Sequence, residues 1–173
     1  GPAAECWEAE FRPGHCEGML TVVGEFFRQI EPTHAFFGEK DAQQLFLVRG
    51  MASSSFPALE VIAGPTVREA DGLALSSRNA RLTADDRKHA LALSASLAVL
   101  AGTWKGGERG IAVLEKILTA SLKQGGVEVE YASLVDDSTF HPANPSLSGP
   151  WRACVAAQVG GVRLIDNFLL GGP

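Results

Sequence analysis

Residues 34–44 read HAFFGEKDAQQ. His34-Ala35-Phe36-Phe37 is a short apolar run stopped by a glycine, the pattern of a buried strand. Gly38-Glu39-Lys40-Asp41 is polar. From Gln43 to Met51 the apolar residues 45, 47, 48 and 51 return with the spacing of a helix face. Upstream, Met19 to Ile30 (MLTVVGEFFRQI) carries apolar residues at 19, 20, 22, 23, 26, 27 and 30, a broad helical face ended by Pro32. Downstream, Ser53 to Ser55 reads as a loop, Leu59 to Ala63 as a second short strand and Gly64-Pro65 as punctuation. Helix, strand, helix, strand is the alternation of a parallel α/β sheet with crossover helices.

The pattern then changes. Thr66 to Arg81 (TVREADGLALSSRNAR) is rich in polar and small residues and has no sustained period. Long ordered connections of this kind are often functional. Thr83 precedes Ala84-Asp85-Asp86 and is placed to cap a helix that runs to about Leu100 and stops at Gly102. A second helix is expected from about Glu108 to Lys123, closed by Gly125-Gly126. Val127 to Val135 reads as a strand. Trp151 to Val159 and Val162 to Leu169 form a hairpin around Gly160-Gly161, and Pro142 to Pro150 is loop. An α/β piece (residues 1–65) is thus followed by a smaller α+β piece (residues 66–173). Two strands are too few for a freestanding parallel sheet, so further strands are expected upstream of residue 1.

Composition narrows the function classes. The 173 residues carry 15 basic and 20 acidic side chains, a net charge of -5, which disfavours non-specific nucleic-acid binding but not a small anionic ligand. Hydrophobic residues make up 46%, enough for a core without staples. Cys6, Cys16 and Cys154 form no disulfide framework or zinc motif, which points to a reducing, cytoplasmic setting. No apolar run approaches the ~20 residues needed to cross a bilayer.

Two stretches carry donors suited to phosphate. Gly38 to Asp41 lies after a strand and before a helix, where open α/β sheets bind ligands. Lys40 can pair with phosphate, and helix-start N–H groups add positive field. Ser76-Ser77-Arg78-Asn79 offers two hydroxyls and a guanidinium. Taken singly, each reads more simply as a solvated turn. The same holds for Arg12-Pro13-Gly14-His15. His34 reads as structural, and His89 and His141 as surface residues. No carboxylate cluster demands a metal, and no metal ligand is named.

Taken together, Arg12-Pro13-x-His15, Phe37-Gly38-Glu39-Lys40-Asp41-x-Gln43-Gln44, Thr66-Val67-Arg68-Glu69-x-Asp71-Gly72-Leu73-Ala74 and Leu75-Ser76-Ser77-Arg78-Asn79 occur in the order found in the pantothenate synthetase family. Arg163-Leu164-Ile165-Asp166-Asn167 also resembles that family's C-terminal strand. The resemblance implies the back part of a Rossmann-like nucleotide-binding domain (1–65), a partial parallel sheet, followed by a C-terminal α+β lid domain with an antiparallel sheet (66–173). It implies ATP-dependent joining of pantoate to β-alanine through a pantoyl adenylate. Gly38, Glu39, Lys40, Asp41, Val67, Leu75, Ser76, Ser77 and Arg78 would bind ATP, with Lys40, Ser76, Ser77 and Arg78 the catalytic set. Gln44 would bind pantoate. Mg²⁺ would accompany ATP, and the protein would be a cytoplasmic homodimer with no nucleic-acid or membrane partner. The family's early histidine motif and its first pantoate-binding Gln have no counterpart here, and Cys16 and Met19 replace its usual Phe and Val. The chain alone is therefore expected to turn over very little. The alternatives are another adenylate-forming nucleotidyltransferase and a non-catalytic dimerisation fragment.

Overall fold

A computed structural model describes residues 2–144 and 150–171. The chain divides into two compact units, Gly1–Thr66 and Val67–Pro173.

In the first unit a 3-10 turn (Pro2–Ala4) and a short helix α1 (Glu8–Phe11) precede helix α2 (His15–Ile30). Strand β1 (His34–Gly38) leads through a 3-10 turn (Glu39–Asp41) into helix α3 (Ala42–Ser55), and strand β2 (Glu60–Gly64) follows. β1 and β2 pair in parallel, from His34 opposite Glu60 to Gly38 opposite Gly64. The crossover α3 makes that parallel pairing possible. Phe27 of α2 meets Phe37 of β1 and Phe56 edge-on, at ring separations of 6.3 and 5.4 Å. Leu45, Val48 and Ala52 supply the buried side of α3.

Four sequence expectations change here. α2 begins at His15, a turn earlier than the apolar pattern, because Gly14 enters it at φ 77°. α3 runs through Ser53–Ser55, which the sequence reads as loop. Ser54 Oγ donates to Met51 O, so these serines finish the helix. β1 is only half covered. Successive strand residues point to opposite faces, and while Phe37 packs on Phe27, Phe36 is 73% exposed. His34 is exposed beside Glu60, 3.6 Å away, so it is a surface residue rather than a core one.

In the second unit, residues 67–75 form a small hairpin. Leu75 N donates to Val67 O and Glu69 N to Leu73 O, and Arg68 bridges Ala74. The polar segment therefore has regular pairing that no hydrophobic period announces. A 3-10 helix (Ser77–Arg81), helices α4 (Ala84–Lys105) and α5 (Ile111–Gln124) and strands β3 (Glu128–Asp136), β4 (Trp151–Val159) and β5 (Val162–Leu170) complete the unit. The sheet is antiparallel, in the order β3-β4-β5. Leu93, Leu97 and Leu100 of α4 and Leu114, Leu118 and Leu122 of α5 are buried in one cluster with Ala153, Val155 and Ala157 of β4. Burying each such leucine stabilises the fold by about 1.5–3 kcal/mol.

Thr83 caps α4 in a reciprocal box with Asp86. α4 passes Gly102 and ends at Lys105. An interior glycine costs about 1 kcal/mol, and the extra turn is held by Trp104, whose ring meets Trp151 at 5.4 Å. α5 starts at Ile111 rather than Glu108. Glu108 Oε1 accepts from Arg109 N and Gly110 N, tying 108–110 into a turn, while the Arg109 guanidinium lies 3.8 Å from the Trp104 ring centre. Gly160 and Gly161 turn β4 into β5 with φ of 55° and 73°. Of the 142–150 loop, residues 145–149 lie outside the described residues. No described helix is long and apolar enough to cross a membrane.

Candidate functional site

Gly38 is the last residue of β1, and Glu39, Lys40 and Asp41 form the 3-10 turn that opens α3. No side-chain hydrogen bond caps either start. The first N–H groups of a helix have no intrahelical partner and attract anions. Gly38 has an ordinary φ of -72° and nothing within 4 Å of where a Cβ would sit. Neither backbone strain nor a neighbour within its unit demands glycine here, and the space beside it is open. The Lys40 side chain is only 16% exposed, with Nζ 3.8 Å from the Asp41 carboxylate, which is itself half exposed. Glu39 is partly covered. The turn thus combines a positive helix start, one sheltered ammonium and open room at the carboxyl end of a parallel strand.

The two glutamines that follow are not equivalent. Gln43 is buried, accepts from Glu8 N, and donates through Nε2 to Ala3 O at 2.6 Å and Cys6 O at 3.0 Å. It ties the amino-terminal turns to α3, and its amide is committed to the backbone. Gln44 is half-buried on the adjacent helix position. Nearby, Arg12 reaches Glu8 at 3.4 Å. Burial first, and then the Glu8 carboxylate, push the Cys16 thiol up from its ordinary value, against the opposing pull of Arg12. A cavity of about 470 Å³ in this unit is lined by Phe27, Arg28, Phe56 and Leu59 among others. It lies by the amino ends of β1 and β2, away from Gly38.

In the second unit, Val67 and Leu75 join the two arms of the hairpin through Leu75 N to Val67 O, and both are exposed (62% and 54%). Together they form an apolar step beside the Ser76–Arg78 run. Ser76 Oγ accepts from Arg78 N, Ser77 is exposed and Arg78 is half-buried. Asn79 is buried. Its Nδ2 donates to Glu69 Oε1 at 2.6 Å and to Ala74 O at 3.0 Å. Arg87 of α4 holds Glu69 at 2.6 Å and Asp71 at 2.8 Å. The bond from Asn79, and then that from Arg87, keep the Glu69 carboxyl below its ordinary range. Arg68 grips Asp166 of β5 with two bonds, 2.7 and 3.0 Å, and the Asp166 side chain is 1% exposed.

The sequence offers the candidate donors but carries no signal of this supporting frame. Arg68, Glu69 and Asp166 stand inside quoted motifs, yet only the folded chain brings residues 98 apart together. Among the described residues, no group of three or more His, Cys, Asp or Glu could hold a metal ion.

Residues 2–169 match the family model for pantoate-beta-alanine ligase. The chain is 44% identical over 171 residues to the pantothenate synthetase of Rubrobacter xylanophilus, covering 98% of this chain and 59% of that protein. The pantothenate synthetase of Thermus thermophilus superposes with a TM-score of 0.91 at 37% identity, across 98% of this chain and 61% of its own. The pantoate-beta-alanine ligase of Francisella tularensis, solved with beta-gamma ATP and beta-alanine, superposes with a TM-score of 0.74 at 31% identity, across 99% of this chain and 56% of that one. The chain thus spans under two thirds of the length of these relatives. A parallel pair ending in a donor-rich turn, a hairpin presenting Ser-Ser-Arg, and these matches place the chain in the pantoate–beta-alanine ligase (pantothenate synthetase) family.

Proposed function

We propose that this chain forms part of an enzyme that joins pantoate to β-alanine at the expense of ATP. The observation that carries the reading is the placement of Gly38–Asp41, with its sheltered ammonium and uncapped helix start, at the carboxyl end of a parallel strand. The ligands of the Francisella relative fit the same chemistry.

In this reading a pantoate carboxylate oxygen attacks the α-phosphorus of ATP. The bond from that phosphorus to the bridging oxygen breaks, and pyrophosphate leaves with the electron pair. The β-alanine amine then attacks the acyl carbon of the pantoyl adenylate. AMP departs, the nitrogen loses a proton, and the amide is formed. The first step gathers negative charge on the phosphoryl oxygens and the leaving pyrophosphate. Lys40, Arg78 and the hydroxyls of Ser76 and Ser77 are donors suited to that charge. Glu39 and Asp41 border the nucleotide, with Asp41 toward the ribose, and the exposed Val67 and Leu75 meet the adenine end. Gln44 bonds pantoate, since Gln43 is already committed to the backbone.

The second unit serves as the lid over a water-sensitive adenylate. Its hairpin is tied to α4 by Arg87 and to β5 by Arg68, so it travels with its own unit rather than as a separate flap. Mg²⁺ arrives on the triphosphate as part of the substrate. The described residues do not fit a resident metal site. The setting is cytoplasmic, in keeping with the free thiols of Cys6, Cys16 and Cys154, and the assembly is a homodimer, which light scattering of the intact gene product checks.

The test is pantoate-dependent exchange of labelled pyrophosphate into ATP by the intact gene product, followed by β-alanine-dependent release of AMP. Exchange that needs another carboxylate, or none, would contradict this assignment.

A further inference from the structure

Ser76, Ser77 and Arg78 hang on a short arc whose two ends are held by one residue. Asn79 donates its backbone N–H to Ser76 O at 3.0 Å and its side-chain Nδ2 to Ala74 O at 3.0 Å. The same Nδ2 donates to Glu69 Oε1 at 2.6 Å on the opposite arm of the hairpin. Glu69 is fixed in turn by Arg87 through its second oxygen, at 2.6 Å. Two acceptors converge on Nδ2, so the amide has one allowed orientation. Turning it over would set Oδ1 against a carboxylate and a carbonyl. The cost is visible: Asn79 Oδ1 is buried with no hydrogen-bond partner among the described residues. A buried acceptor left unpaired cancels much of what the two donor bonds contribute. Net stability is therefore a poor account of this side chain, and the shape of the arc is a better one.

We propose that Asn79, oriented by the Glu69–Arg87 pair, is the positioning residue that fixes the Ser76–Arg78 donor run for the α-phosphate transfer. The inference rests on the function proposed above. Asn79 does not itself touch the nucleotide. It acts through the backbone of residues 75–78, holding the serine hydroxyls and the Arg78 guanidinium where the charge develops. Donors that need no rearrangement at the moment of reaction lower the barrier most. A displacement of about 1 Å in such a group costs about 100-fold in rate.

The test compares variants of the intact gene product in pantoate-dependent pyrophosphate exchange, at a temperature where each is folded. Asn79→Ala is expected to lower kcat/KM for ATP by about 100-fold, with KM for pantoate unchanged. Asn79→Asp, the same shape with a carboxylate facing Glu69, is expected to fall at least as far. Glu69→Gln still accepts from Asn79 but meets Arg87 with an amide, and is expected to lose about 10-fold, between the two extremes. Leu118→Ala, a core truncation in α5, supplies the stability control. It lowers the melting temperature yet leaves both constants within about twofold. Wild-type constants in Asn79→Ala and Asn79→Asp, or losses that only track melting temperature and appear equally in Leu118→Ala, would overturn the positioning role while leaving the ligase function intact. A wild-type protein with no exchange at all would overturn both.

Discussion

Arg68→Ala is the substitution whose consequence can be worked furthest from the structure. Arg68 donates two hydrogen bonds to Asp166, at 2.7 and 3.0 Å, and a third to Gly72 O at 3.1 Å. The pair is asymmetric: 32% of the Arg68 side chain is exposed, but only 1% of that of Asp166. Removing the arginine strands a buried carboxylate that keeps the backbone N–H of Asn167 as a donor. Breaking a buried pair from one side costs about 3–5 kcal/mol. Partial exposure of Arg68 discounts that to about 2 kcal/mol, and the lost bond to Gly72 adds about 1 kcal/mol to the cost. The expected loss is about 3 kcal/mol. Asp166→Asn should cost less, about 1–2 kcal/mol, because the partly exposed guanidinium can turn to water and the amide oxygen still accepts from Asn167 N. The assay is urea unfolding followed by the fluorescence of Trp104 and Trp151 in a Trp7→Phe background. The double variant should lose less than the sum of the singles, with a coupling of about 1.5 kcal/mol or more. If Arg68→Ala costs under about 0.5 kcal/mol and the two changes add, the pair behaves as an ordinary surface bridge, and the argument that it anchors the hairpin to β5 fails.

Three further predictions concern the second unit. At the β4–β5 turn, a Cβ on Gly160, at φ 55°, would overlap the Asp86 carboxylate, whereas Gly161 at φ 73° faces open space. Gly161→Ala should cost about 1–2 kcal/mol for its left-handed backbone alone, and Gly160→Ala clearly more in the same urea titration. Equal losses would remove the steric argument. Thr83→Ala deletes the α4 cap bonded to Asp86 N at 3.1 Å and should cost about 1 kcal/mol, measured by the shift of the urea midpoint. Asp136 is held below its ordinary carboxylate value of 3.8, first by the Ser138 hydroxyl and then by Thr139 and backbone donors, against the cost of burial. A depressed folded value means the stabilisation is full above about pH 4 and disappears as pH falls through the folded value. Acid titration of stability should therefore be shallower in Asp136→Asn than in wild type over that interval, and identical slopes would count against the account.

The regular elements were legible wherever apolar residues repeat. The faces of α2 and α3, the paired glycines before β5 and the Thr83 cap all announce themselves in the sequence. The misreadings have a common cause. Ser53–Ser55 and Gly102 look like breakers, but one run is closed by Ser54 bonding back to Met51 O and the other lies within reach of the Trp104–Trp151 contact. A local side-chain bond in the first case and tertiary packing in the second override weak local preference. Phe36 looks like core because an apolar run carries no record of which face will be covered. At the candidate site, Lys40 and Ser76–Arg78 stand out as donors, but taken singly each stretch reads as a solvated turn, and only the resemblance of the ordered motifs to a family gives them a role. The frame behind them, Asn79 with Glu69 and Arg87, and Arg68 with Asp166, has no period to detect. It consists of hydrogen bonds between residues 10, 18 and 98 positions apart.

In the function proposed above, the Lys40 turn and the Ser76–Arg78 run act on one triphosphate. A double-variant cycle of Lys40→Ala and Arg78→Ala in the intact gene product, read by pantoate-dependent pyrophosphate exchange, tests this most directly. Each single change should lower kcat/KM for ATP by about 100-fold or more, and the pair together by much less than the product of the two. Independent, multiplying losses, or exchange that survives either change, would mean that the two runs do not share a substrate.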